Sequence, residues 1–73
     1  LDPKYAYAWN NKGAVLSDQG KKEEALKAYE KAIELDPKFA YPWNNKGLAL
    51  KALGRKSQAD ECFARAKELG YKR

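Results

Sequence analysis

The chain has 73 residues, of which 44% are hydrophobic and 34% charged, and its formal net charge is +5 at neutral pH. A chain of this length forms one small domain, and this mixture of apolar and charged residues is typical of amphipathic helices. The sequence also excludes a membrane-spanning helix, because no run of apolar residues approaches the roughly 20 that such a helix needs.

The residue types also limit the chemistry that can be expected. With one cysteine and no histidine, the chain lacks a disulfide framework, the usual metal ligand and the usual neutral-pH base. It has no glycine-rich phosphate loop and no carboxylate pair set apart from the charged helix surfaces. We therefore predict no enzyme activity, no cofactor and no metal, and we expect a reducing, cytoplasmic setting.

The positive charge is spread along the chain rather than concentrated. Most lysines stand beside acidic residues, as in Lys22-Glu23-Glu24, which is how solvated helix faces are usually built. The only small basic cluster is Tyr71-Lys72-Arg73, and no base-reading or stacking module accompanies it. We expect neither nucleic-acid binding nor membrane binding.

Four helices are predicted in chain order from the spacing of apolar residues and from start and stop signals. Asp2-Pro3 and Asp36-Pro37 each predict a helix start, because Asp can cap free N–H groups and Pro is tolerated in the first turn. Gly20 is predicted to end the first helix, because a glycine readily adopts the left-handed conformation found just after a helix. The predicted helices run from about Lys4 to Gln19, Lys22 to Leu35, Lys38 to Leu53 and Lys56 to Leu69.

The first and third predicted helices share one pentapeptide, found as Trp9-Asn10-Asn11-Lys12-Gly13 and as Trp43-Asn44-Asn45-Lys46-Gly47. The offset is 43 − 9 = 34 residues, a period that indicates a repeat architecture. The linker repeats at the same spacing, as Leu1-Asp2-Pro3-Lys4-Tyr5 and Leu35-Asp36-Pro37-Lys38-Phe39. Further matched pairs are Leu16 and Leu50, Gly20 and Gly54, Ala25 and Ala59, Tyr29 and Phe63, Ala32 and Ala66, and Leu35 and Leu69.

These matched residues resemble the tetratricopeptide repeat, which has Trp, Gly, Ala, aromatic and Pro residues at set places in its 34 positions. The resemblance implies an all-α fold of four helices, in which antiparallel helix-turn-helix repeats stack as a right-handed α-solenoid fragment. In that frame residues 1–5 are the tail of a preceding repeat, residues 6–39 the first repeat and residues 40–73 the second. The chain is then expected to be a piece of a longer protein.

A stripe of aromatic and leucine side chains at helical spacing is predicted to form the core. Gly13 and Gly47 lie inside predicted helices at a cost of roughly 1 kcal/mol each relative to Ala. That cost indicates a close approach of the two helices of one repeat, with alanines as the small partners. Cys62 is interpreted as a small apolar filler. The predicted core residues are Trp9, Leu16, Tyr29, Leu35, Trp43, Leu50, Phe63 and Leu69.

The outer face of the fourth helix differs from that of the second. Leu26 corresponds to Asp60, and Ile33 corresponds to Lys67. Apolar positions that turn charged are typical of a terminal repeat, whose outer face must be wetted. The second repeat is therefore predicted to have C-terminal capping character.

The first helix shows no such change on the side where a preceding repeat would stack. Its Tyr5, Ala8 and Val15 correspond to Phe39, Pro42 and Ala49 of the third helix, which must pack against the repeat before it. We expect this open face to drive self-association, as a homo-oligomer or with exchange of helices between chains.

The resemblance also implies a peptide-binding groove, because the first helix of each tetratricopeptide repeat lines the concave side of an array. Asn11 and Asn45 stand where relatives use an asparagine ladder to hold the main chain of an extended peptide. The alternatives are that these asparagines bond only their own helix or a neighbouring loop, and that Tyr7 and Tyr41 pack between repeats. The implied groove residues are Tyr7, Asn10, Asn11, Ala14, Ser17, Tyr41, Asn44, Asn45, Leu48 and Lys51.

The predicted function is therefore a protein–protein interaction module or scaffold fragment that binds peptide segments along this groove. The alternative is a structural C-terminal cap of a longer array, with no ligand of its own. The chain departs from the carboxylate clamp with which other relatives hold acidic chaperone tails. Asn10 and Ala14 stand where the first unit of that clamp has Lys and Asn, and Tyr41 and Asn45 replace its Lys and Arg if the units are read as the second and third. The sequence does not name a partner.

Overall fold

The computed structural model describes residues 3–71 of the chain. These residues form four α-helices and no strand: α1 (Pro3–Asp18), α2 (Lys22–Leu35), α3 (Ala40–Ala52) and α4 (Lys56–Glu68). The all-α fold and the order of the four helices predicted from the sequence are confirmed. None of the helices in this described range is both long and apolar enough to cross a bilayer.

The helices pack as two hairpins set side by side. α1 packs on α2, α3 packs on α4, and α2 packs on α3, with a smaller contact between α1 and α3. The connections are short, so the two helices of each hairpin run antiparallel. Within residues 3–71, α2 thus has a helix on either side of it, whereas α1 and α4 each have a hairpin partner and one open side.

Glycines with positive φ end the first helix of each hairpin. Gly20 has φ +82° and Gly54 has φ +80°, a conformation that other residues adopt only with strain. The N–H of Lys21 donates to the carbonyl of Leu16 at 2.9 Å, which is the long bond of a Schellman motif. The predicted stop at Gly20 is confirmed, and the second hairpin repeats it.

The predicted helix start at Asp36-Pro37 is wrong, because α3 begins only at Ala40. Asp36 ends α2 instead, and its Oδ1 accepts a hydrogen bond from the N–H of Lys38 at 3.2 Å. A short carboxylate that bonds a backbone N–H two residues on favours a turn over a helix start. Asp2, the other predicted cap, lies outside the described residues.

The turn between the hairpins is tied to α3 by a tryptophan. The Nε1–H of Trp43 donates to the carbonyl of Pro37 at 3.2 Å. Pro42 is the third residue of α3, in the first turn as predicted, where its missing N–H costs no helix bond. The hydrogen bond joins the connecting turn to the first turn of α3.

The hydrophobic core is centred on the α2–α3–α4 interface. Tyr29 and Leu50 are buried as predicted, and the thiol of Cys62 is buried among the same apolar side chains, which confirms that it fills space. The other predicted core residues are half-buried, because two hairpins leave wide side chains at the edge of a single interface, and Leu16, Trp43 and Phe63 among them pack against the core cluster as predicted. Those half-buried residues are Trp9, Leu16, Leu35, Trp43, Phe63 and Leu69.

Close approach explains the glycines inside α1 and α3. A Cβ added to Gly13 would lie 2.5 Å from Cε1 of Tyr29, and one added to Gly47 would lie 2.6 Å from Cε1 of Phe63. The prediction of close helix approach is confirmed, but the nearest neighbours are aromatic rings rather than alanines. In each hairpin an aromatic ring of the second helix therefore packs against the backbone of the first helix at its glycine.

Candidate functional site

The sequence-predicted groove residues lie on α1 and α3, and we call this set the α1/α3 surface. Its members recur three or four residues apart along each helix, so they share one side of it. They differ in exposure, and therefore in what they can offer a ligand. The set consists of Tyr7, Asn10, Asn11, Ala14, Ser17, Tyr41, Asn44, Asn45, Leu48 and Lys51.

Two asparagines of this surface bond each other across the hairpin boundary. Nδ2 of Asn45 donates to Oδ1 of Asn10 at 3.0 Å. The bond links α3 to α1 and holds the two helices at a fixed offset. Asn45 thus bonds a residue of a neighbouring helix. The alternatives to peptide binding that were expected from the sequence were a bond within its own helix or to a neighbouring loop. Asn45 keeps its carbonyl oxygen and one N–H for another partner.

The two asparagines that precede the ladder positions are buried. Asn10 is 7% exposed and Asn44 is 5% exposed. The expectation that both belong to the exposed groove is therefore wrong. The helices come close together at this level, and the interface covers the side chains that face the neighbouring helices.

Asn11 is more exposed than Asn45, the residue that matches it in the second repeat. Its side chain is exposed, whereas Asn45 is half-buried beside Asn10. The difference has a simple cause: Asn45 has a preceding hairpin to bond, and Asn11 is on the first described helix. Asn11 can therefore offer its whole amide to a ligand.

Exposed apolar side chains stand on the same surface. Tyr7 is 59% exposed, Tyr41 is 57% exposed and Leu48 is 47% exposed. Leu48 is matched in the first repeat by the smaller Ala14, which is half-buried. Large apolar groups left in water at one side of a small domain mark a place where another molecule can bury area.

The tyrosines belong to a row of aromatic rings that could not be predicted from the repeat pattern. The ring centroids of Tyr7 and Phe39 lie 6.1 Å apart, those of Phe39 and Tyr41 5.9 Å apart, and those of Tyr41 and Tyr71 5.5 Å apart. These distances are typical of favourable ring pairs. The repeat signal for Tyr7 and Tyr41 is visible in the sequence, and Phe39 was expected to pack against the preceding repeat, but the pattern did not predict that its ring joins those of the two tyrosines.

Tyr71 closes this row. It occupies the place of Pro37 in the preceding repeat, and it follows Gly70, whose φ of +98° ends α4. The turn brings the Tyr71 ring edge-on to Tyr41. A cleft of about 580 Å³ lies beside the two rings, between the α2–α3 turn and the end of α4. It is lined by Asp36, Lys38, Phe39, Ala40, Tyr41, Leu69, Gly70 and Tyr71.

The remaining polar members of the surface stand near the helix ends. Ser17 is half-buried, and Nζ of Lys22 donates both to its Oγ at 2.8 Å and to its carbonyl oxygen at 2.9 Å. Lys51 is exposed in the last turn of α3, where a cation is favoured by the helix dipole. Ser17 is thus occupied in holding the α1–α2 turn, and Lys51 is open to a ligand.

Three residues of α1 form a second exposed surface, which we call the α1 face: Tyr5, Ala8 and Val15. All three are exposed, and Tyr5 and Val15 are among the largest exposed apolar side chains of the described chain. The matched residue of Val15 on α3 is Ala49, which is 1% exposed beneath α2. Among the described residues, the α1 face is therefore the same type of surface without a covering helix.

Each hairpin also has a cleft on its outer side, with a tryptophan beside cations. Lys12 Nζ lies 4.9 Å from the ring centroid of Trp9, and Arg65 lies 5.9 Å from that of Trp43. The cleft next to Trp9 has a volume of about 410 Å³ and the one next to Trp43 about 320 Å³. In each cleft the cation covers part of the indole ring. We therefore interpret the two clefts as the outer boundary of the hydrophobic core.

The titratable groups of the core are held in their neutral forms. Burial raises the pKa of the Cys62 thiol, and the neighbouring cation Lys46 opposes this in part. Burial also raises the pKa of Tyr29, with a contribution from Asp18. Within residues 3–71 no three His, Cys, Asp or Glu side chains are grouped so that they could hold a metal ion.

Two family models match the chain. Both describe the tetratricopeptide repeat, one over residues 6–39 and the other over residues 28–61. The second match starts in α2 and ends in α4, so the two together span parts of all four helices. A search of curated proteins found no match.

Proposed function

The chain belongs to the tetratricopeptide repeat family, and we propose that it binds an extended peptide segment across the α1/α3 surface. Repeats of this family are generally protein–protein interaction modules. The observation that carries the proposal is the exposure of Tyr7, Tyr41 and Leu48 beside the open amide of Asn11. Apolar area and a main-chain partner are thus offered on one side of two adjacent helices.

Each contact type has a separate part in the proposed recognition. An extended peptide carries an N–H and a C=O at every residue, and an asparagine amide can donate to one and accept from the other. Asn11 supplies both groups, and Asn45 supplies those that its bond to Asn10 leaves over. Tyr41 and Leu48 supply apolar area for side chains of the peptide. Affinity then depends little on the exact peptide sequence.

The test begins with peptides selected from a random 12-residue library on the immobilised chain. The best peptide is synthesised, and its affinity is measured by calorimetry for the wild type, Asn11→Ala and Leu48→Ser. We expect each change to weaken binding by about fivefold or more, as for a residue at the centre of an interface. Lys67→Ala on the exposed side of α4 is the matched control and should bind like the wild type.

Nuclear magnetic resonance separates this proposal from binding elsewhere. Peptide titration should shift the backbone amides of Tyr41, Leu48 and Asn11. Shifts confined to α2 and α4, with unchanged affinity in Asn11→Ala and Leu48→Ser, would reject the α1/α3 surface as the peptide site.

A second candidate function, a structural cap of a longer array, is favoured by the outer side of α4. Asp60 and Lys67 are exposed there, where α2 has Leu26 and Ile33, and Lys56 Nζ lies 3.1 Å from the Asp60 carboxylate. In this role the α1/α3 asparagines matter only for stability. The same calorimetry distinguishes the two, because a pure cap selects no peptide whose binding depends on Asn11.

The α1 face adds a proposal of self-association, as a homo-oligomer or a helix-swapped assembly. Its support is the exposure of Val15 at a position that α2 covers in the next repeat. Sedimentation equilibrium should show a concentration-dependent mass for the wild type and a monomer for Val15→Asp. A wild-type chain that stays monomeric at millimolar concentration would reject this part.

A further inference from the structure

Four aromatic rings form one continuous row, which we call the aromatic row: Tyr7, Phe39, Tyr41 and Tyr71. The row crosses the boundary between the hairpins, because Tyr7 lies on α1, Phe39 immediately precedes α3 and Tyr71 follows α4. Adjacent ring centroids are 5.5 to 6.1 Å apart. The repeat period aligns only Tyr7 with Tyr41, so the packing of the hairpins brings the four rings together.

The central ring of the aromatic row stays exposed although it has a ring on each side. Tyr41 lies between Phe39 and Tyr71, and it is still 57% exposed. Its match Tyr7, beside which the described residues place the single ring of Phe39, is 59% exposed. A second neighbouring ring therefore changes the exposure of this position very little. The aromatic row is a surface that the stacking of hairpins creates rather than one that stacking covers.

The rings of the aromatic row meet at steep angles. The plane of the Tyr41 ring is 70° from that of Phe39 and 87° from that of Tyr71. Two rings at such angles form the walls of a notch, and the cleft of about 580 Å³ lies beside Tyr41 and Tyr71. A compact apolar ring can contact both walls of the notch at once. Among the natural amino acids, proline has such a ring.

Polar contacts across the hairpin boundary hold the rings in their positions. Nδ2 of Asn45 donates to Oδ1 of Asn10 at 3.0 Å, and Nζ of Lys46 lies 3.6 Å from the Glu30 carboxylate. These contacts join α3 to both helices of the first hairpin. A surface that already has its bound shape loses less conformational entropy when a ligand binds.

We propose that the aromatic row binds a proline-rich segment of a partner protein in the polyproline II conformation. This helix rises about 3.1 Å per residue, so two of its residues span about the distance between adjacent rings. It has no internal hydrogen bonds and its prolines have no N–H, so its carbonyls are the groups that need partners. The hydroxyls of the three tyrosines and the open amide of Asn11 are donors of that type. The inference rests on the proposed function and names the class of peptide.

The chemistry of the aromatic row disfavours a charged or a helical segment. The four side chains are neutral, and the two charged residues that line the cleft, Asp36 and Lys38, have opposite signs. The cleft therefore offers little net charge to attract an acidic or a basic peptide. An α-helix already bonds its own main chain, so it would leave the tyrosine hydroxyls without a carbonyl to meet. A polyproline II segment uses both the rings and the hydroxyls.

The test uses decaproline and a Gly-Ser repeat of the same length, both capped at their ends, with the isotopically labelled chain. Decaproline should shift the backbone amides of Tyr7, Tyr41 and Tyr71. The Gly-Ser peptide is a flexible coil without side-chain rings, so it should bind at least about fivefold more weakly. Decaproline affinity should change by less than about twofold between roughly 50 and 500 mM salt, because no ion pair is involved.

Substitutions in the aromatic row identify the contacts. Tyr71→Ala and Tyr41→Ala should each weaken decaproline binding by about fivefold or more, as expected for central contact residues. Tyr41→Phe keeps the ring and should bind within about threefold of the wild type. Tyr5→Ala removes an exposed ring outside the row and is the matched control, with unchanged affinity. Circular dichroism should show the same helix content in all four variants.

Three results would overturn the inference: equal binding of decaproline and the Gly-Ser peptide, wild-type affinity in both alanine variants of the row, or no binding of decaproline at millimolar concentration. Selected library peptides that bind through Asn11 and Leu48, when decaproline does not bind, would leave the proposed function standing without the inference. Decaproline that binds through Tyr41 and Tyr71, when no selected peptide depends on Asn11 or Leu48, would support the inference and reject recognition through those two residues.

Discussion

Asn45 donates a hydrogen bond of 3.0 Å to Asn10, and this bond joins the third helix to the first across the hairpin boundary. The donor is half-buried and the acceptor is 7% exposed, so water competes weakly for the bond. Asn11, the match of Asn45, is exposed. One asparagine position therefore has a structural role in the second repeat and an open amide in the first.

This difference predicts unequal costs for the two alanine variants. Asn45→Ala should lower the free energy of unfolding by about 1 kcal/mol or more. It removes the hydrogen bond and leaves the side-chain oxygen Oδ1 of the buried Asn10 without that donor. Asn11→Ala should change it by less than about 0.5 kcal/mol, as is usual at an exposed position. Urea unfolding followed by tryptophan fluorescence gives both values. Equal losses would mean that the bond contributes little in solution.

The glycines inside α1 and α3 predict a steric penalty. Ala is the better helix former by about 1 kcal/mol, but its Cβ at position 13 would lie 2.5 Å from the Tyr29 ring. Overpacking of that type costs about 1–3 kcal/mol, so Gly13→Ala should lower stability by up to about 2 kcal/mol net. Gly47→Ala should behave alike against Phe63.

A double-mutant cycle identifies the ring as the cause. In a Tyr29→Leu background the added Cβ has more room, so Gly13→Ala should cost less there than in the wild type. Gly20→Ala is the contrasting control, because no atom lies within 4 Å of its Cβ and any loss comes from the positive φ alone. Strict additivity of Gly13→Ala and Tyr29→Leu would show that the two positions do not meet.

The buried thiol predicts a loss of stability in alkali. Burial raises the pKa of Cys62 above its ordinary value of 9.0, so the folded chain holds the proton more tightly than the unfolded chain does. This contribution is complete below the unfolded pKa and is lost as the pH rises through the folded pKa. The free energy of unfolding should therefore fall above about pH 9, with a smaller fall in Cys62→Ala.

Tyr29 adds to this fall at higher pH, because burial raises its pKa above the ordinary value of 10.0. Thiol reactivity gives a second measurement. Cys62 should react slowly with a disulfide reagent at pH 8 in the folded chain and rapidly in guanidinium. A folded chain that reacts as fast as the unfolded one would contradict burial of the thiol.

The outer side of α4 predicts that a few changes can turn the chain into a polymer. Ser57, Asp60, Ala64 and Lys67 are all exposed, so Ser57→Glu, Asp60→Leu, Ala64→Glu and Lys67→Ile should leave the helix intact. The rebuilt α4 would then match α2 and could cover the α1 face of another copy. Such head-to-tail contacts do not close, so light scattering should show long, concentration-dependent assemblies.

The polymer has its own matched control. Adding Lys12→Glu to the rebuilt chain should shorten the assemblies, because the substituted side chain faces the new acid at position 64. Assemblies of unchanged length would place the new contact away from the α1 face.

Apolar spacing and end signals predicted the order of the helices and the glycine stop after α1, and the resemblance of the repeated residues to a known family implied the class of fold. These features are local: a helix needs an apolar stripe and an end signal, and Gly20 supplies the signal through its own backbone. The start of α3 could not be predicted from such local signals, because the side chain of Asp36 suits a helix cap and a turn equally well. Only the packed turn, with Trp43 bonded to Pro37, decided between them.

The candidate surface divides in the same way. Matched positions determined which side of α1 and α3 carries the asparagines and tyrosines, since that follows from helical spacing alone. Tertiary structure decided which of them are available: Asn10 and Asn44 are buried by the neighbouring helix, and Asn45 is taken by a residue 35 positions away. A period of 34 gives matched residues the same local sequence but not the same neighbours, because burial depends on which helix lies alongside.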